Sequence, residues 1–447
     1  MLKDAWTLAI EALSWIELQN LNERLALTKT ARQLNITDTS AKGLAYRLVY
    51  ETIRRKNYLD SLINHALKPN TTDDYDLGVL AFLRLYVYKI SLERKGDAHR
   101  EAVEIARMGR SILGWQTLQP IEKALGTLLS LQQDKVLQKS DDDEKVALQT
   151  YHPTWFVKYC FKLFGRSEAL KFLSSSQNFL PIYVRVNTLI TEEEKAIETL
   201  QREGVRVEKV HELSHVYRVV HTEHPLAGTN SFKEGFFSVQ DIASCLAVEV
   251  AAPKPDTTVL DVCCAPGSKT THLAMLMQNK GTICSLDYSL RRMKVWKHSV
   301  NRNGVKNTLP IIADARKPLP FKKTADLIIL DPPCTSTGVF ARAPSAKWRL
   351  TPQSIPKMAE VQWQMLKSCA GRVAGGGWLV YSTYSITVEE NEMLIEGFLR
   401  LYPEFRLAET NPWIGLPGLR GLTGCQRLYP HIHDCNGSFI AKLEKEN

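Results

Sequence analysis

The chain has 447 residues, 44% hydrophobic and 23% charged, with a formal charge of +9 and a pI near 8.9. That composition is ordinary for a soluble globular chain and excludes a disordered or collagen-like one; the length calls for two or three domains, and the charge points to a polyanionic partner. No apolar run approaches the roughly 20 residues needed to cross a bilayer, the N-terminal MLKDAWTLAIEALSW carries acids and is no secretory signal, and the nine scattered cysteines read as reduced thiols in a cytoplasmic setting.

Residues 1–133 read as helical almost throughout. Trp6, Ala9, Ile10, Leu13 and Ile16 recur at helical spacing, as do Ala45, Leu48, Val49 and Ile53, then Leu59, Leu62, Ile63 and Leu67. Leu77 to Ile90 is apolar nearly all round, which predicts a central buried helix. Basic residues punctuate this bundle at Arg47, Arg54, Arg55, Lys56, Arg84, Lys89, Arg94 and Lys95, readable as solvated faces or as an RNA-facing patch. Gln132 to Glu144 is polar, lacks aromatics and reads as a linker. A helical stretch opens at Tyr151–Trp155. A strand is expected over 181–190, a helix over 191–203 and strand-like alternation over 205–220, so a small α+β unit follows the bundle.

Phe236 to Ser244 leads into a helix, and then comes the stretch on which the chain turns, 257–287. An apolar strand, Val259 to Val262, ends in Cys263-Cys264-Ala265-Pro266-Gly267; a helix runs from Ser268 to about Met277; a second strand, Thr282 to Leu286, ends at Asp287. Gly267 allows the backbone to approach a ligand, the helix start offers free N–H groups, and an acid after the second strand is placed to accept from ribose hydroxyls. The loop matches neither the dinucleotide G-x-G-x-x-G nor the Walker pattern, so a nucleoside ligand of open type and a purely structural βαβ unit both stand at this point.

After Asp287 a helix is expected from Leu290 to Asn303. Between Ser289 and Ala313 there is no acid, whereas Arg291, Arg292, Lys294, Lys297, Arg302 and Lys306 are basic, a density that suits phosphate contacts or a solvated face. Strands over 308–313, 325–330 and 377–382 end at Asp314, at Asp331-Pro332-Pro333-Cys334 and at Thr383-Tyr384-Ser385. Asp261, Asp287, Asp314 and Asp331 at or near successive strand ends make the edge where open α/β sheets bind ligands chemically loaded.

With these residues in view, the chain resembles the RsmB-type RNA (cytosine-5) methyltransferases. Asp-Val-Cys-Cys-Ala-Pro-Gly-Ser-Lys-Thr (261–270) is close to the family's D-x-C-A-A-P-G-x-K-T, with Cys264 in place of the first alanine. Asp331-Pro-Pro-Cys334-Thr-Ser-Thr-Gly338, followed by Arg342, Pro344, Lys347 and Trp348, resembles its D-[AP]-P-C-S-x-T-G segment, with Thr335 in place of serine. Ser382-Thr-Tyr-Ser385 with Glu389-Glu-Asn-Glu392 resembles its [ST]-T-C-S and E-E-N-E. Arg185-Val-Asn187, Val239–Ser244 and Arg427–His431 also look like family positions. The likeness covers about residues 150–443, and residues 1–133 more loosely resemble a NusB-like RNA-binding bundle.

The resemblance implies three parts: an all-α NusB-like bundle over 1–140, a small α+β RNA-binding unit over 147–233, and an α/β Rossmann-like class I methyltransferase over 234–447. It implies S-adenosylmethionine as cofactor and structured RNA as partner, ribosomal RNA ahead of transfer RNA, with no membrane and no metal. Carried over by position, Cys263, Cys264, Ala265, Pro266, Gly267, Ser268 and Lys269 would wrap the methionine and ribose of the cofactor. Asp287 would take the ribose hydroxyls with Arg292 near it, Asp314 the adenine amine, and Asp331 would lie near the methyl donor. Cys334, Asp331, Pro333 and Tyr384 would line the catalytic centre, and Arg185, Arg342, Lys347, Arg291 and Lys297 would meet RNA.

One departure bears on the chemistry. Cytosine C5 becomes nucleophilic once a thiolate adds at C6, and in this family that thiol belongs to the T-C-S segment, where this chain has Tyr384. Three readings follow: Cys334 attacks C6 instead; the exocyclic N4 is methylated without an adduct, with Asp331-Pro-Pro polarising the amine and Tyr384 stacking on the base; or the protein is a non-catalytic RNA-binding assembly factor. Two other signals are set aside. Cys425, His431, His433 and Cys435 follow no justified zinc spacing, and Glu389 to Glu392 suits a helix start after the fifth strand.

Overall fold

A computed structural model describes residues 1–93, 97–131 and 141–447. Most of the expected linker, 132–140, and Arg94 and Lys95 of the basic series lie outside the described residues. The chain divides into two compact units, residues 1–178 with 340–350, and residues 179–339 with 351–447. Among the described residues no helix is long and apolar enough to cross a membrane.

The first unit is helical: α1 Leu2–Gln19, α2 Glu23–Gln33, α3 Thr39–Arg54, α4 Lys56–Leu67, α5 Leu77–Val87, α6 Ala98–Leu113, α7 Glu122–Ser130, α8 Asp142–Thr150, α9 Thr154–Phe164 and α10 Arg166–Ser175. As the all-round apolar pattern predicts, α5 is central, and Val79 to Val87 are all buried. Its one cation, Arg84, is buried with them, its guanidinium donating to Asp60 at 2.6 and 3.1 Å and to Glu17 at 2.9 Å. Burial would penalise that cation heavily without these carboxylates. Most of the basic series is likewise committed internally: Arg54 donates to the Gln177 carbonyl, Arg55 to Glu51, Lys56 pairs with Glu17 at 2.5 Å, and Lys89 with Glu93 at 2.9 Å. At Arg54, Arg55, Lys56, Arg84 and Lys89 the charge is therefore taken up by partners within the helical unit, which corrects both the solvated and the RNA-facing reading for these five.

Residues 340–350 belong to the same unit. Phe340 packs edge-on against Phe156 at 5.0 Å between ring centres, Trp348 Nε1 donates to the Ile53 carbonyl at 2.6 Å, and the Ser345 amide donates to Glu23 at 2.6 Å.

The second unit carries two sheets. In the smaller, β1 Ile182–Val186, β2 Val205–Lys209, β3 Val216–Thr222 and β4 Phe237–Val239 pair antiparallel in the order β2-β3-β1-β4, with α11 Glu193–Arg202 between β1 and β2. The stretch 205–220 is thus two strands rather than one alternating segment. The larger sheet has at its centre β5 Thr258–Val262, with β6 Thr282–Asp287 and β7 Thr308–Ile312 to one side and β8 Ala325–Leu330 and β9 Val373–Thr383 to the other, all five parallel. Numbered by sequence, these five run 3-2-1-4-5. Antiparallel strands extend the β9 edge: β13 Ser438–Lys445 pairs with β9, and it in turn carries β10 Phe405–Ala408 and β12 Gln426–Leu428, with β11 Leu416–Pro417 outermost. Strand parity separates two cores. Val259, Leu327, Ile329 and Val380 face α12 Ile242–Ala251, α13 Ser268–Leu276 and α14 Leu290–Arg302. Leu260, Ile328, Leu379 and Tyr381 face α15 Ser354–Ala370 and α16 Glu392–Leu401. Burial on both faces is what a parallel strand requires, and it explains the continuous apolar runs in the sequence.

Candidate active site

The loop after β5 is built for close backbone approach. Cys263 and Gly267 both adopt positive φ, 66° and 108°, and a Cβ on Gly267 would come within 3.2 Å of Trp296 and 3.3 Å of Ser299. The Gly267 amide donates to the Cys264 carbonyl at 2.8 Å, closing the turn. Pro266 is exposed, Ala265 is buried, and Ser268 opens α13. Cys264 departs from its expected place at the ligand: its amide donates to the Leu286 carbonyl at 3.0 Å and its sulfur packs on Met293 at 3.6 Å in the core. Asp261 also turns inward. It is buried and accepts from Thr270 Oγ1, which itself accepts from Trp296 Nε1 at 2.9 Å, and burial pushes its carboxyl up to about 7.

The other three acids stand at the carboxyl ends of β6, β7 and β8, each neutralised by one cation. Asp287 is 1% exposed and pairs with Arg292 at 3.1 Å, while accepting from the Ser289 amide at 3.0 Å. Asp314 takes three bonds from Arg316, at 2.6 to 3.1 Å, and this guanidinium holds its carboxyl below the usual carboxylate range. Asp331 pairs with the buried Lys269 at 2.7 Å through one oxygen and accepts from Ser382 at 3.2 Å through the other. This row of accepting carboxylates suits a hydroxyl- and amine-bearing nucleoside, and its cations are each paired to one of the acids instead of being free for a phosphate chain. The acceptor set therefore fits S-adenosylmethionine, whose ribose hydroxyls and adenine amine seek carboxylates and whose adenosine lacks phosphate.

Cys334 and Tyr384 sit where β8 and β9 end. The Cys334 thiol is pushed up to about 12, by burial first and by the Glu390 carboxylate second. The Tyr384 hydroxyl bonds to Ser244 on α12; burial, Asp241 and Asp331 hold the phenol well above its ordinary range, and Lys269 Nζ lies 5.7 Å from its ring centre. Tyr384 is thus a fixed wall beside the Lys269–Asp331 pair and a poor nucleophile. The loop carrying Cys334 is pinned beyond it: the Gly338 amide donates to the Tyr384 carbonyl at 2.9 Å, and a Cβ on Gly338 would meet the Gly437 carbonyl oxygen at 2.0 Å.

Sequence reasoning missed the group that ties these loops together. Glu390 is fully buried and accepts from the Thr335 amide at 2.9 Å, from Thr335 Oγ1, from Ser385 at 2.6 Å, from Thr387 at 2.8 Å and from Gln362 Nε2 at 2.8 Å. Gln362 also donates to the Pro333 carbonyl at 2.9 Å, beside the exposed Pro333 ring. The E-E-N-E run is visible in the sequence, but only Glu392 begins the helix, and it forms a buried pair with Arg427. The hydroxyl-rich Thr335, Ser385 and Thr387 were the available signal.

Two residues expected to meet RNA are buried, and that expectation is corrected. Arg185 is 0% exposed, its guanidinium committed to Gln240 at 2.9 Å, Thr271 at 3.0 Å and the Met275 sulfur at 3.1 Å, and burial pulls its pKa down to about 10. Lys347 is 0% exposed and donates to the Tyr151 carbonyl at 2.5 Å. Arg342 is half-buried within the 340–350 segment. Arg291 and Lys297 are exposed on α14, whose Met293, Trp296 and Val300 form the buried stripe. Cys425 and Cys435 lie in the cores on opposite faces of the sheet, and the described residues contain no group of three or more His, Cys, Asp or Glu side chains able to hold a metal.

A 3-2-1-4-5 parallel sheet with antiparallel strands at one edge, a glycine loop after its first strand and carboxylates at the following strand ends defines a class I methyltransferase. Family models agree and narrow it. Residues 248–444 match the model for 16S rRNA methyltransferase RsmB/F, 152–221 its ferredoxin-like domain, and 3–111 the NusB family. The chain is 31% identical to the probable ribosomal RNA small subunit methyltransferase B of Bacillus subtilis (strain 168), covering 98% of both chains. It is 38% identical over 220 residues to the tRNA (cytosine(72)-C(5))-methyltransferase of Pyrococcus horikoshii, covering 49% of this chain and 55% of that one. The solved structure of NSun6 from Pyrococcus horikoshii with SFG, an S-adenosylmethionine analogue, superposes with a TM-score of 0.62 at 28% identity, covering 66% of this chain and 98% of that one. The chain belongs to the RsmB/F family and is a SAM-dependent RNA methyltransferase.

Proposed function

We propose that this enzyme methylates a cytosine in structured RNA, ribosomal ahead of transfer RNA, at C5 and with S-adenosylmethionine as donor. The observation that carries the reading is Cys334 held beside the Lys269–Asp331 pair at the end of β8. Residues Cys263 to Lys269 would hold the methionine and ribose, Asp287 with Arg292 the ribose hydroxyls, Asp314 the adenine amine. The cofactor supplies an electrophilic methyl group and a sulfonium charge. Cys334 would pass its proton to water and bond to C6, which makes C5 the nucleophile that takes the methyl group as S-adenosylhomocysteine departs; water would then take the C5 proton as the C–S bond breaks and the thiolate leaves, restoring the ring. The bundle over 1–140 and the unit over 147–233 would hold RNA, and 234–447 would perform the chemistry, in a cytoplasmic setting that suits nine free cysteines.

A second reading has its own observation. The position of the usual thiol is Tyr384, whose hydroxyl is bound to Ser244 and whose phenol is kept protonated. Methylation of cytosine N4 requires no adduct, and Asp331 and Pro333 would receive the amine while Tyr384 walls the base. Nucleoside mass spectrometry on RNA treated with the enzyme and methyl-labelled cofactor separates the two. A 5-methylcytidine product that vanishes in Cys334→Ala supports the first reading. An N4-methylated product that survives in Cys334→Ala overturns it in favour of the second.

A further inference from the structure

Three cations of the helical unit that are not drawn into internal ion pairs stand together around one cavity. A cavity of about 690 Å³ opens between α1, α2 and α3, and Arg24, Arg32 and Lys42 stand on its rim. Among the described residues none of the three has a carboxylate partner. The nearby acids are engaged elsewhere: Glu23 accepts from the Ser345 amide at 2.6 Å, and Asp38 caps α3 through the Ser40 amide at 2.9 Å. Its apolar lining is Leu8, Leu27, Ala31 and Ile36, with Leu8 and Leu27 buried. One wall is Tyr46, 45% exposed and fixed by stacking on Tyr50 at 5.7 Å and 20°. Asn35 presents an amide at the edge.

A rigid exposed aromatic over an apolar floor takes a planar ring, and three unpaired cations around it take a chain of negative charges. The volume lies within the roughly 300–1,000 Å³ of small-molecule sites. We propose that this cavity receives one unstacked nucleotide of single-stranded RNA, its base against Tyr46 and its flanking phosphates on Arg24, Arg32 and Lys42. This rests on the reading of the enzyme as acting on RNA. It gives the helical unit a recognition site for an unpaired base, separate from the base that is methylated.

The test uses the full chain and a fluorescent single-stranded RNA 12-mer of mixed sequence, with its perfect duplex as control, in anisotropy titrations across a salt series. The expected results are preferential binding of the single strand and a loss of about 10-fold in Tyr46→Ala with the salt slope unchanged, since stacking carries no counterions. Tyr46→Phe, which keeps the ring, stays near wild type. Ala31→Trp, which fills the cavity without changing charge, loses affinity as Tyr46→Ala does. Arg24→Glu with Arg32→Glu loses affinity and flattens the slope by about 1.4 for two lost contacts. Equal binding of wild type and Tyr46→Ala, or displacement by poly-aspartate that is identical for the two, overturns the proposal while methylation by both proteins leaves the enzymatic reading standing. If the wild type neither binds nor methylates any RNA, both fall.

Discussion

Asp261 shows how one buried side chain sets a pH dependence. Its folded pKa of about 7 lies above the unfolded value of about 3.9. Below pH 4 both states hold the proton. From about pH 4 to 7 the unfolded state alone releases it, so the folded unit loses stability as pH rises, by about 4 kcal/mol once pH exceeds 7. Asp261→Asn still accepts from Thr270 and has no proton to lose. The stability of β5, read as hydrogen exchange of its amides, should therefore fall less between pH 5 and 8 in Asp261→Asn than in the wild type. Tyr384→Phe should cost about 1 kcal/mol for the lost bond to Ser244 and leave methylation within a few-fold; a hundred-fold loss would assign the hydroxyl a chemical role. Glu390→Gln sets an N–H against donors that now share a carboxylate. It should cost about 1–3 kcal/mol, lower kcat, and move alkylation of Cys334 to lower pH, because the charge that raises the thiol is gone. An unshifted alkylation profile would leave Glu390 a purely structural clamp. Cys334 and Tyr384 could be picked out in the sequence by their place after strands; Glu390 could not be weighed, because its five donors come from three separate segments.

At the scale of elements, α14 turns periodicity into a surface. Its apolar stripe packs under the sheet, and Arg291, Lys294 and Lys297 are left exposed. Reversing these three charges should weaken RNA binding and reduce the salt slope by about 2. Affinity and slope both unchanged would remove α14 from the RNA surface. Arg292 is better left intact in this test, since it pairs with Asp287. The same spacing logic predicted α5 and the five parallel strands. It did not yield β10 to β13: the first three are only two to four residues long, and β13 takes its place by pairing with β9, far back in the chain. Nor did it place residues 340–350: Arg342, Pro344, Lys347 and Trp348 read as a continuation of the Asp-Pro-Pro-Cys segment, whereas this stretch belongs to the helical unit, with Phe340 against Phe156 and Trp348 bonded to Ile53.

For the molecule as a whole, the sequence by itself determined the order of its parts: a helical bundle, a small α+β unit, and a methyltransferase sheet with acids at its strand ends. These follow from local periodicity and from motifs a few residues long. Only the tertiary structure decided which charges are available. Nothing in their local sequence separates the cations Arg84, Arg185 and Lys347 from Arg24, Arg32 and Arg291, yet the first three are buried and committed while the others are exposed and, among the described residues, have no carboxylate partner. A charge is committed by partners brought from distant segments, Asp60 to Arg84 and Gln240 to Arg185, and no local pattern records that meeting. The same holds for Asp261 and Asp331, both near strand ends: strand parity turns the first into the core, and the second reaches the sheet edge, where it pairs with Lys269.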